Sequence, residues 1–239
     1  MYRPLAIASE APVLLAYPSG DAGTALRVAE ELEALGVEGV ALAGRSLVGN
    51  LAVLGKGKSS IVLLCSVGGR PAAAKIRRVD SPAPDMRMEA RMLRAANSVG
   101  VGPGLIGWMD DVVLMELVEG EALAEHLRRI GPRSPAAARP IRAALDEARA
   151  LDSIGVDHGE LHHPGDHVMV TAEGAEILDF GSASASRRTS NVTSLAGAIA
   201  RMIGASVEGK LLGALRSYKE RPSDASYEEV LEALGIQAR

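Results

Sequence analysis

The order of apolar and polar positions predicts one helix and partly extended chain in the N-terminal part of the sequence. Residues 24–35 (TALRVAEELEAL) carry apolar side chains at helical spacing, and Gly36 ends the pattern. Residues 11–17 form a short apolar run, which predicts either a strand or a buried turn. Residues 39–54 are interrupted by glycines and are expected to be extended in part.

Strand patterns dominate from Leu51 onward. Residues 51–67 and 70–79 are apolar and rich in small or β-branched side chains on either side of a Gly-Gly turn, which predicts paired strands. The patterns that follow are a helix at residues 85–96 and a strand at residues 112–118. This part of the chain is therefore expected to form a sheet with one helix.

Beyond Gly120 the pattern is mostly helical. The one interruption predicts a hairpin, with strands at residues 167–170 and 175–180. The last helix is predicted to start near Ser226, whose spacing to Glu229 fits a capping box. A strand-rich part followed by a helix-rich part indicates an α+β fold.

Composition narrows the class of protein. The chain has 239 residues, 47% of them hydrophobic but only 3% aromatic, so its core is expected to be aliphatic. The net charge of −4 does not indicate a nucleic-acid partner. Cys65 is the only cysteine, which excludes an intramolecular disulfide. The longest apolar run is too short for a bilayer, and no secretion signal is evident, so a cytoplasmic protein without a membrane partner is expected.

A glycine-rich segment admits two interpretations. Residues 52–59 (AVLGKGKS) nearly match the phosphate loop of P-loop NTPases, with Ala52 in place of the first glycine. That loop requires a helix directly after Lys58-Ser59, whereas the sequence IVLLCSV predicts a strand. The favoured interpretation is a hairpin with the pattern Gly55-x-Gly57-x-x-Ser60-x-Val62, in which small residues let the backbone approach nucleotide phosphates. An ordinary glycine-rich hairpin is the alternative.

Three charged residues downstream favour the nucleotide interpretation. Lys75 lies near the end of a small apolar strand, and Glu89 follows in the middle of a predicted helix. A lysine that binds phosphates needs a buried carboxylate to hold it, and the Glu89 position suits that role. The strand pattern of residues 112–118 runs into Gly120 and can offer backbone groups to an adenine edge. Asp179 ends the apolar run ILD before Phe180 and Gly181, a suitable position for a metal ligand.

This ordered set resembles the protein-kinase superfamily over residues 50–195. It is most similar to the small atypical kinases of the RIO type, and closest to a group of predicted archaeal serine/threonine kinases that share the HGEL segment and an SNVTSL-like stretch. The resemblance implies a two-lobed α+β fold. Its parts would be an N-terminal extension packing on the N-lobe (1–49), a small β-rich N-lobe (50–117) and a reduced helical C-lobe (118–239).

The resemblance also implies the function and the site. The chain would be an ATP- and Mg²⁺-dependent serine/threonine protein kinase that phosphorylates itself or another protein. The residues implied to surround ATP are Gly55, Gly57, Ser60, Val62, Lys75, Glu89, Met115, Glu116 and Val118. Among them Lys75 would contact the phosphates, Met115 would be the gatekeeper, and the backbone of Glu116 and Val118 would face adenine. Asp179 would bind magnesium. A surface salt bridge is the alternative for Lys75 and Glu89, and a simple turn residue is the alternative for Asp179.

The catalytic segment departs from the family pattern. Related kinases carry a segment like HGDLHPGN, whereas residues 158–167 read HGELHHPGDH. Glu160 replaces the aspartate that accepts the substrate proton. One or two extra residues precede the second metal-binding position, which is filled by Asp166 or His167. Magnesium prefers the oxygen of Asp166, whereas the following Val-Met-Val register favours His167.

Several alternatives remain open at the level of sequence. The Glu160 carboxylate reaches one methylene further than that of an aspartate. A misplacement of a catalytic group by ~1 Å costs on the order of 100-fold in rate, so an ATP-binding pseudokinase is one alternative. A small-molecule kinase of the aminoglycoside-phosphotransferase type is another, which leaves the phosphoacceptor as a protein or a small molecule. The histidines that suggest a zinc site are His158, His162, His163 and His167. Arg187 and Arg188 suggest either an acidic or phosphorylated partner or a solvated basic turn.

Overall fold

The computed structural model describes residues 1–236, which form a mixed α+β protein with a mostly antiparallel sheet. The helices are α1 (Pro4–Glu10), α2 (Ala22–Ala34), α3 (Arg87–Asn97), α4 (Leu123–Ile130), α5 (Ala138–Ser153), α6 (Pro164–His167), α7 (Asn191–Met202), α8 (Gly209–Glu220) and α9 (Asp224–Ala233). The strands are β1 (Val37–Ala41), β2 (Ser46–Val48), β3 (Leu51–Val53), β4 (Gly55–Lys56), β5 (Ser60–Val67), β6 (Arg70–Arg77), β7 (Leu105–Trp108), β8 (Val112–Glu116), β9 (Glu121–Ala122), β10 (Val168–Val170) and β11 (Ala175–Ile177).

Most elements predicted from periodicity are confirmed. Helices α2 and α3, strand β8 and the β10–β11 hairpin lie where the sequence pattern predicts them. Residues 11–17 contain a 3₁₀ turn at Pro12–Leu14, so the buried turn was right and the strand alternative was wrong. Proline fixes its own φ and lacks an N–H, which suits the first position of such a turn.

The last helix starts near Ser226 as predicted, but the predicted capping box was wrong. Helix α9 begins after Ser223, whose hydroxyl accepts the Ser226 N–H at 3.2 Å, while the Ser226 hydroxyl accepts the Ser223 N–H at 3.0 Å. Ser226 is thus the third residue of a reciprocal capping box, not its first. The sequence pattern assigned the hydrogen bond back to the first residue of the box to the Glu229 side chain. In the structure the Ser226 hydroxyl makes it, to the N–H of Ser223.

The chain divides into two compact units. Unit 1 comprises Met1–Arg94 and Gly104–Leu117, and unit 2 comprises Ala95–Pro103 and the chain from Val118 onward. Unit 1 contains the main sheet, with strand order β1-β5-β6-β8-β7 and β4 added beside β5. The pairs in this sheet are antiparallel.

The core of unit 1 determines which way Lys75 faces. Helices α1 and α2 share a buried cluster with one face of the sheet, to which β6 contributes Ala72, Ala74 and Ile76. Successive side chains on a strand point to opposite faces. Lys75 therefore lies on the face of the sheet opposite to α1 and α2.

Unit 2 is built around α5 and α7. Both helices bury apolar residues at helical spacing, such as Ala144 and Leu151 on α5 and Leu195 and Ile199 on α7. Helix α5 also contacts β11, the edge of a small antiparallel sheet with order β11-β10-β9. Within residues 1–236, no helix combines the length and apolar character needed to cross a membrane.

Candidate functional site

The glycine-rich segment of unit 1 is a tight β-hairpin. Gly55 pairs with Val62 across β4 and β5, and the Gly57 N–H donates to the Ser60 carbonyl at 2.9 Å. Residues 60–67 form strand β5 where a P-loop requires a helix. The P-loop interpretation is therefore excluded, and the predicted hairpin is confirmed.

Neither glycine of this hairpin is required by the fold of unit 1. A Cβ placed on Gly55 or Gly57 would meet its nearest neighbour at 3.5 or 3.6 Å, which is ordinary contact. Both residues also lie outside the left-handed backbone region that favours glycine. Glycine at these positions leaves room on the surface of the hairpin, as close approach of a ligand to the backbone requires.

Lys75 lies on β6 between β5 and β8, in register with Val62 and Val113. Its ammonium contacts the Glu89 carboxylate at 2.5 Å, and the two side chains are 4% and 11% exposed. Helix α3 brings Glu89 there because its start is attached to the β7–β8 turn. The Met86 N–H donates to the Asp110 carbonyl at 2.8 Å.

Burial distinguishes this pair from a surface salt bridge, so that alternative was wrong. Exposed ion pairs are screened by water and contribute about 0–1 kcal/mol. A buried pair also adds little net stability, because removal of both charges from water offsets their attraction. The main effect of the contact is to fix the position of the Lys75 ammonium on the sheet face opposite to α1 and α2.

The segment predicted to face adenine begins at the end of β8. Half-buried Met115 pairs with Ala73 and Leu105 on the neighbouring strands. The Glu116 N–H donates to the Gly104 carbonyl at 2.8 Å. Unit 1 ends one residue later, so Val118 is described with unit 2.

In unit 2, His158 fixes the segment predicted to be catalytic. Its ring is fully buried; Nε2 lies 3.0 Å from the Leu178 carbonyl and Nδ1 lies 3.4 Å from the Glu160 N–H. These contacts assign the proton to Nε2. Burial lowers the pKa of His158, so the ring is held in the neutral form.

Asn191 anchors the same segment from the start of α7. Its side-chain oxygen accepts the His158 N–H at 2.8 Å, and its side-chain NH₂ group donates to the carbonyl of Val156 at 2.7 Å and to the carboxylate of Asp152 at 2.9 Å. Asn191 is buried, and its contacts with His158 and Val156 are shielded from water.

Glu160 and His167 are neighbours on this segment. The Glu160 carboxylate is 40% exposed and lies 3.6 Å from Nε2 of His167. Two contacts hold His167 in place: its ring centroid is 5.5 Å from that of His158, and its carbonyl accepts the Leu178 N–H at 2.8 Å. Within residues 1–236, its buried Nδ1 has no hydrogen-bond partner.

The end of the segment forms the single turn α6. Asp166 lies on this turn with an exposed side chain, whereas His167 ends it directly before β10. Of the two candidates for the second metal ligand, His167 is thus the one beside Glu160. An imidazole is a poor ligand for magnesium, which prefers oxygen.

Asp179 adopts a left-handed backbone conformation, which is uncommon for residues other than glycine. Its φ of 69° makes it the one non-glycine residue of the described chain in the left-handed region. Its carboxylate accepts the Gly181 N–H at 3.2 Å. Such a conformation costs on the order of 1 kcal/mol, and it occurs most often where function requires a fixed side chain.

The four histidines do not form a zinc centre. The rings of His158 and His167 are near each other inside the protein, whereas His162 and His163 are exposed and pack against each other at a tilt, with centroids 4.2 Å apart. In the chain up to residue 236, no group of three or more His, Cys, Asp or Glu side chains is placed to hold a metal ion.

Sequence reasoning missed an ion pair beside the segment predicted to be catalytic. Arg187 donates from Nε to the buried Asp157 carboxylate at 3.0 Å and from Nη2 to the Ser182 carbonyl at 2.7 Å. The acidic group that Arg187 binds is therefore Asp157 of the same chain. Arg188 donates to the Lys219 carbonyl. Gly159, with a φ of 89°, leaves the space that the guanidinium occupies, because a Cβ there would lie 2.6 Å from Nη2 of Arg187.

Comparison with known proteins adds no family assignment. No protein-family model matches the chain. The curated proteins likewise contain no match to it. Assignment of function therefore depends on the residues themselves.

Proposed function

We propose that the protein is an ATP- and Mg²⁺-dependent phosphotransferase similar to RIO-type serine/threonine kinases, with its two units as the lobes of a kinase-like fold. The observation that carries the proposal is the buried contact between Lys75, on the central strand β6, and Glu89, on helix α3. A lysine held by a carboxylate in this way is the arrangement that binds nucleotide phosphates in protein kinases.

Each residue of unit 1 then has a defined role. Lys75 would bind phosphate oxygens, and Glu89 would prevent its side chain from moving away. Gly55 and Gly57 would let the hairpin backbone approach the same phosphates, which explains glycine at two positions where the fold tolerates alanine.

In unit 2, Asp179 would hold magnesium. In nucleotide sites this ion is bound by one or two carboxylates together with phosphate oxygens and water, so a single carboxylate fits it. When bound, magnesium neutralises charge on the phosphates. The left-handed backbone of Asp179 supports this role, because such strained conformations cluster at active sites and ligand clamps.

Glu160 would accept the proton of the acceptor hydroxyl. Its carboxylate is exposed enough for an acceptor to reach it, and neutral His158 fixes the backbone on which it lies. The acceptor is a hydroxyl of a protein, this chain included, or of a small molecule.

The test is transfer of label from γ-phosphate-labelled ATP with Mg²⁺ in the wild type and in the variants Asp179→Asn and Glu160→Gln. We expect transfer by the wild type, with loss of nearly all of it in both variants. Unchanged labelling and ATP turnover in both variants would show that these roles are wrong.

A second function is favoured by His167, whose nitrogen takes the place of an oxygen ligand beside Glu160. The protein would then bind nucleotide to hold a conformation and would not transfer phosphate. This alternative gives thermal stabilisation by Mg²⁺-ATP in the wild type without any labelled product. The replacement His167→Asn separates the two functions, since it restores the family ligand and is expected to raise transfer only if His167 limits it.

A further inference from the structure

Tyr17 contacts the glycine-rich hairpin, although it lies outside the kinase resemblance. Its ring is flanked by two cations of unit 1: Nζ of Lys56 lies 5.0 Å and Cζ of Arg78 lies 4.7 Å from the ring centroid. The Tyr17 carbonyl also accepts the Val79 N–H at 2.9 Å. The N-terminal segment is thereby attached both to β4 and to the chain that follows β6.

Arg78 connects this tyrosine to the hairpin turn. Its guanidinium donates to the Gly57 carbonyl at 2.9 Å, and its backbone N–H donates to the Ser59 carbonyl at 2.8 Å. Two further bonds to the Asp80 carboxylate, at 2.8 and 2.7 Å, orient the guanidinium. The turn between β4 and β5 is therefore held from outside the hairpin by one charge-assisted hydrogen bond and one backbone hydrogen bond.

The hairpin has a physical need for such support. Gly55 and Gly57 give its backbone more conformational freedom than other residues would, and that freedom must be lost when a ligand binds. Support from Arg78 removes part of this freedom beforehand, and the cation–π contact with Tyr17 keeps the guanidinium beside the turn. A site that is ordered before binding has the higher affinity.

We propose that Tyr17 and Arg78 are positioning residues that hold the glycine-rich turn in its nucleotide-binding conformation. The N-terminal segment is then part of the nucleotide site and not an accessory to it. This inference rests on the proposed function, because it concerns the same nucleotide.

The first measurement is amide hydrogen exchange of the peptide covering residues 54–62, without nucleotide. The variants are Arg78→Gln and Tyr17→Leu, each compared with a matched control. Arg70→Gln removes an exposed arginine from the other end of β6, and Tyr17→Phe keeps the ring. We expect roughly ten-fold faster exchange in both variants, since opening of the turn is a local equilibrium, and wild-type exchange in both controls. Equal exchange in variants and controls would overturn the proposal.

The second measurement is titration of the same proteins with Mg²⁺-ATP. If the variant turn is in the binding conformation about one tenth of the time, the apparent Kd rises about ten-fold. Arg78→Lys should recover part of the loss, because lysine keeps the charge but not the forked geometry. Faster exchange with unchanged affinity would show that the turn is held for another reason. A wild type that does not bind Mg²⁺-ATP would instead contradict the proposed function, and the exchange result would stand independently.

Discussion

The Lys75 ammonium and the Glu89 carboxylate meet inside unit 1 although 14 residues separate them in the chain. Two features bring them together: the β5–β6–β8 register sets the position of Lys75, and the contact between Met86 and Asp110 sets the start of α3. Such a contact, largely shielded from water, is the arrangement in which removal of one partner has the largest effect.

Replacement of Lys75 by methionine should lower the melting temperature and abolish stabilisation by Mg²⁺-ATP. The variant leaves the Glu89 carboxylate buried without its lysine, at a cost of about 3 kcal/mol. Adding Glu89→Gln should restore stability but not nucleotide binding. The control is Lys210→Met, since the Lys210–Glu232 pair is 66% and 73% exposed and contributes little. ATP stabilisation that persists in Lys75→Met would contradict the assignment of Lys75.

Replacement of Gly55 by alanine should separate ligand binding from folding. The fold accommodates the added Cβ, so the melting temperature should stay the same or rise slightly. Affinity for Mg²⁺-ATP should fall, because the methyl group would lie on the surface that the phosphates are proposed to approach. Gly69→Ala is the opposite case: Gly69 has a φ of 72° in an open turn, so stability should drop by about 1 kcal/mol with affinity unchanged. Calorimetry and ligand titration on the same samples check both outcomes.

Asp179→Asn should leave stability unchanged and remove the magnesium dependence of ATP binding. Asparagine tolerates the left-handed backbone as well as aspartate does, so only the charge is lost. Asp179→Ala loses the charge and should also cost roughly 1 kcal/mol in backbone strain. Thermal unfolding with ATP, at several Mg²⁺ concentrations, distinguishes these effects. An asparagine variant that retains full magnesium dependence would show that another residue binds the metal.

Features that depend on nearby sequence were predictable. Helix α2 follows from apolar spacing within one segment, and β5 follows from a β-branched run that ends at a glycine turn. The position of Lys75 on a strand followed from its small apolar neighbours. These signals need no knowledge of what packs against the element.

Features that depend on distant contacts were not predictable. Arg187 contacts Asp157, 30 residues away in the chain, and Tyr17 contacts the still more distant Arg78. The periodicity of one helix or strand gives no information about contacts between residues so far apart. The choice between Asp166 and His167 depended on α6, a turn of 4 residues that is too short to show helical spacing. Ser223 and Ser226 both fit a capping pattern, and only the backbone distinguishes them.

Glu147 on α5 makes the stability of unit 2 depend on pH. Its carboxylate accepts the Ile177 N–H at 2.7 Å, and burial, with a smaller contribution from the charge of Glu176, raises its pKa to about 8. The folded protein therefore binds a proton that the unfolded chain has released above its ordinary pKa of 4.5. The stabilisation that this bound proton gives to the fold is complete below the ordinary pKa of the carboxyl group. It is lost as the pH rises through the pKa of Glu147 in the folded protein.

The free energy of unfolding should therefore fall as the pH is raised from about 5 to 8, with a slope approaching 1.4 kcal/mol per pH unit from this group alone. The melting temperature should fall with it. Glu147→Gln keeps an oxygen to accept the Ile177 N–H but does not titrate, so its curve should be flatter and should lie above the wild type near pH 8. Half-buried Asp152, whose pKa is also raised by burial, contributes to both curves and cancels in their difference. Parallel curves for the two proteins would show that Glu147 stays ionised in the fold and that its contact with Ile177 is made by a carboxylate.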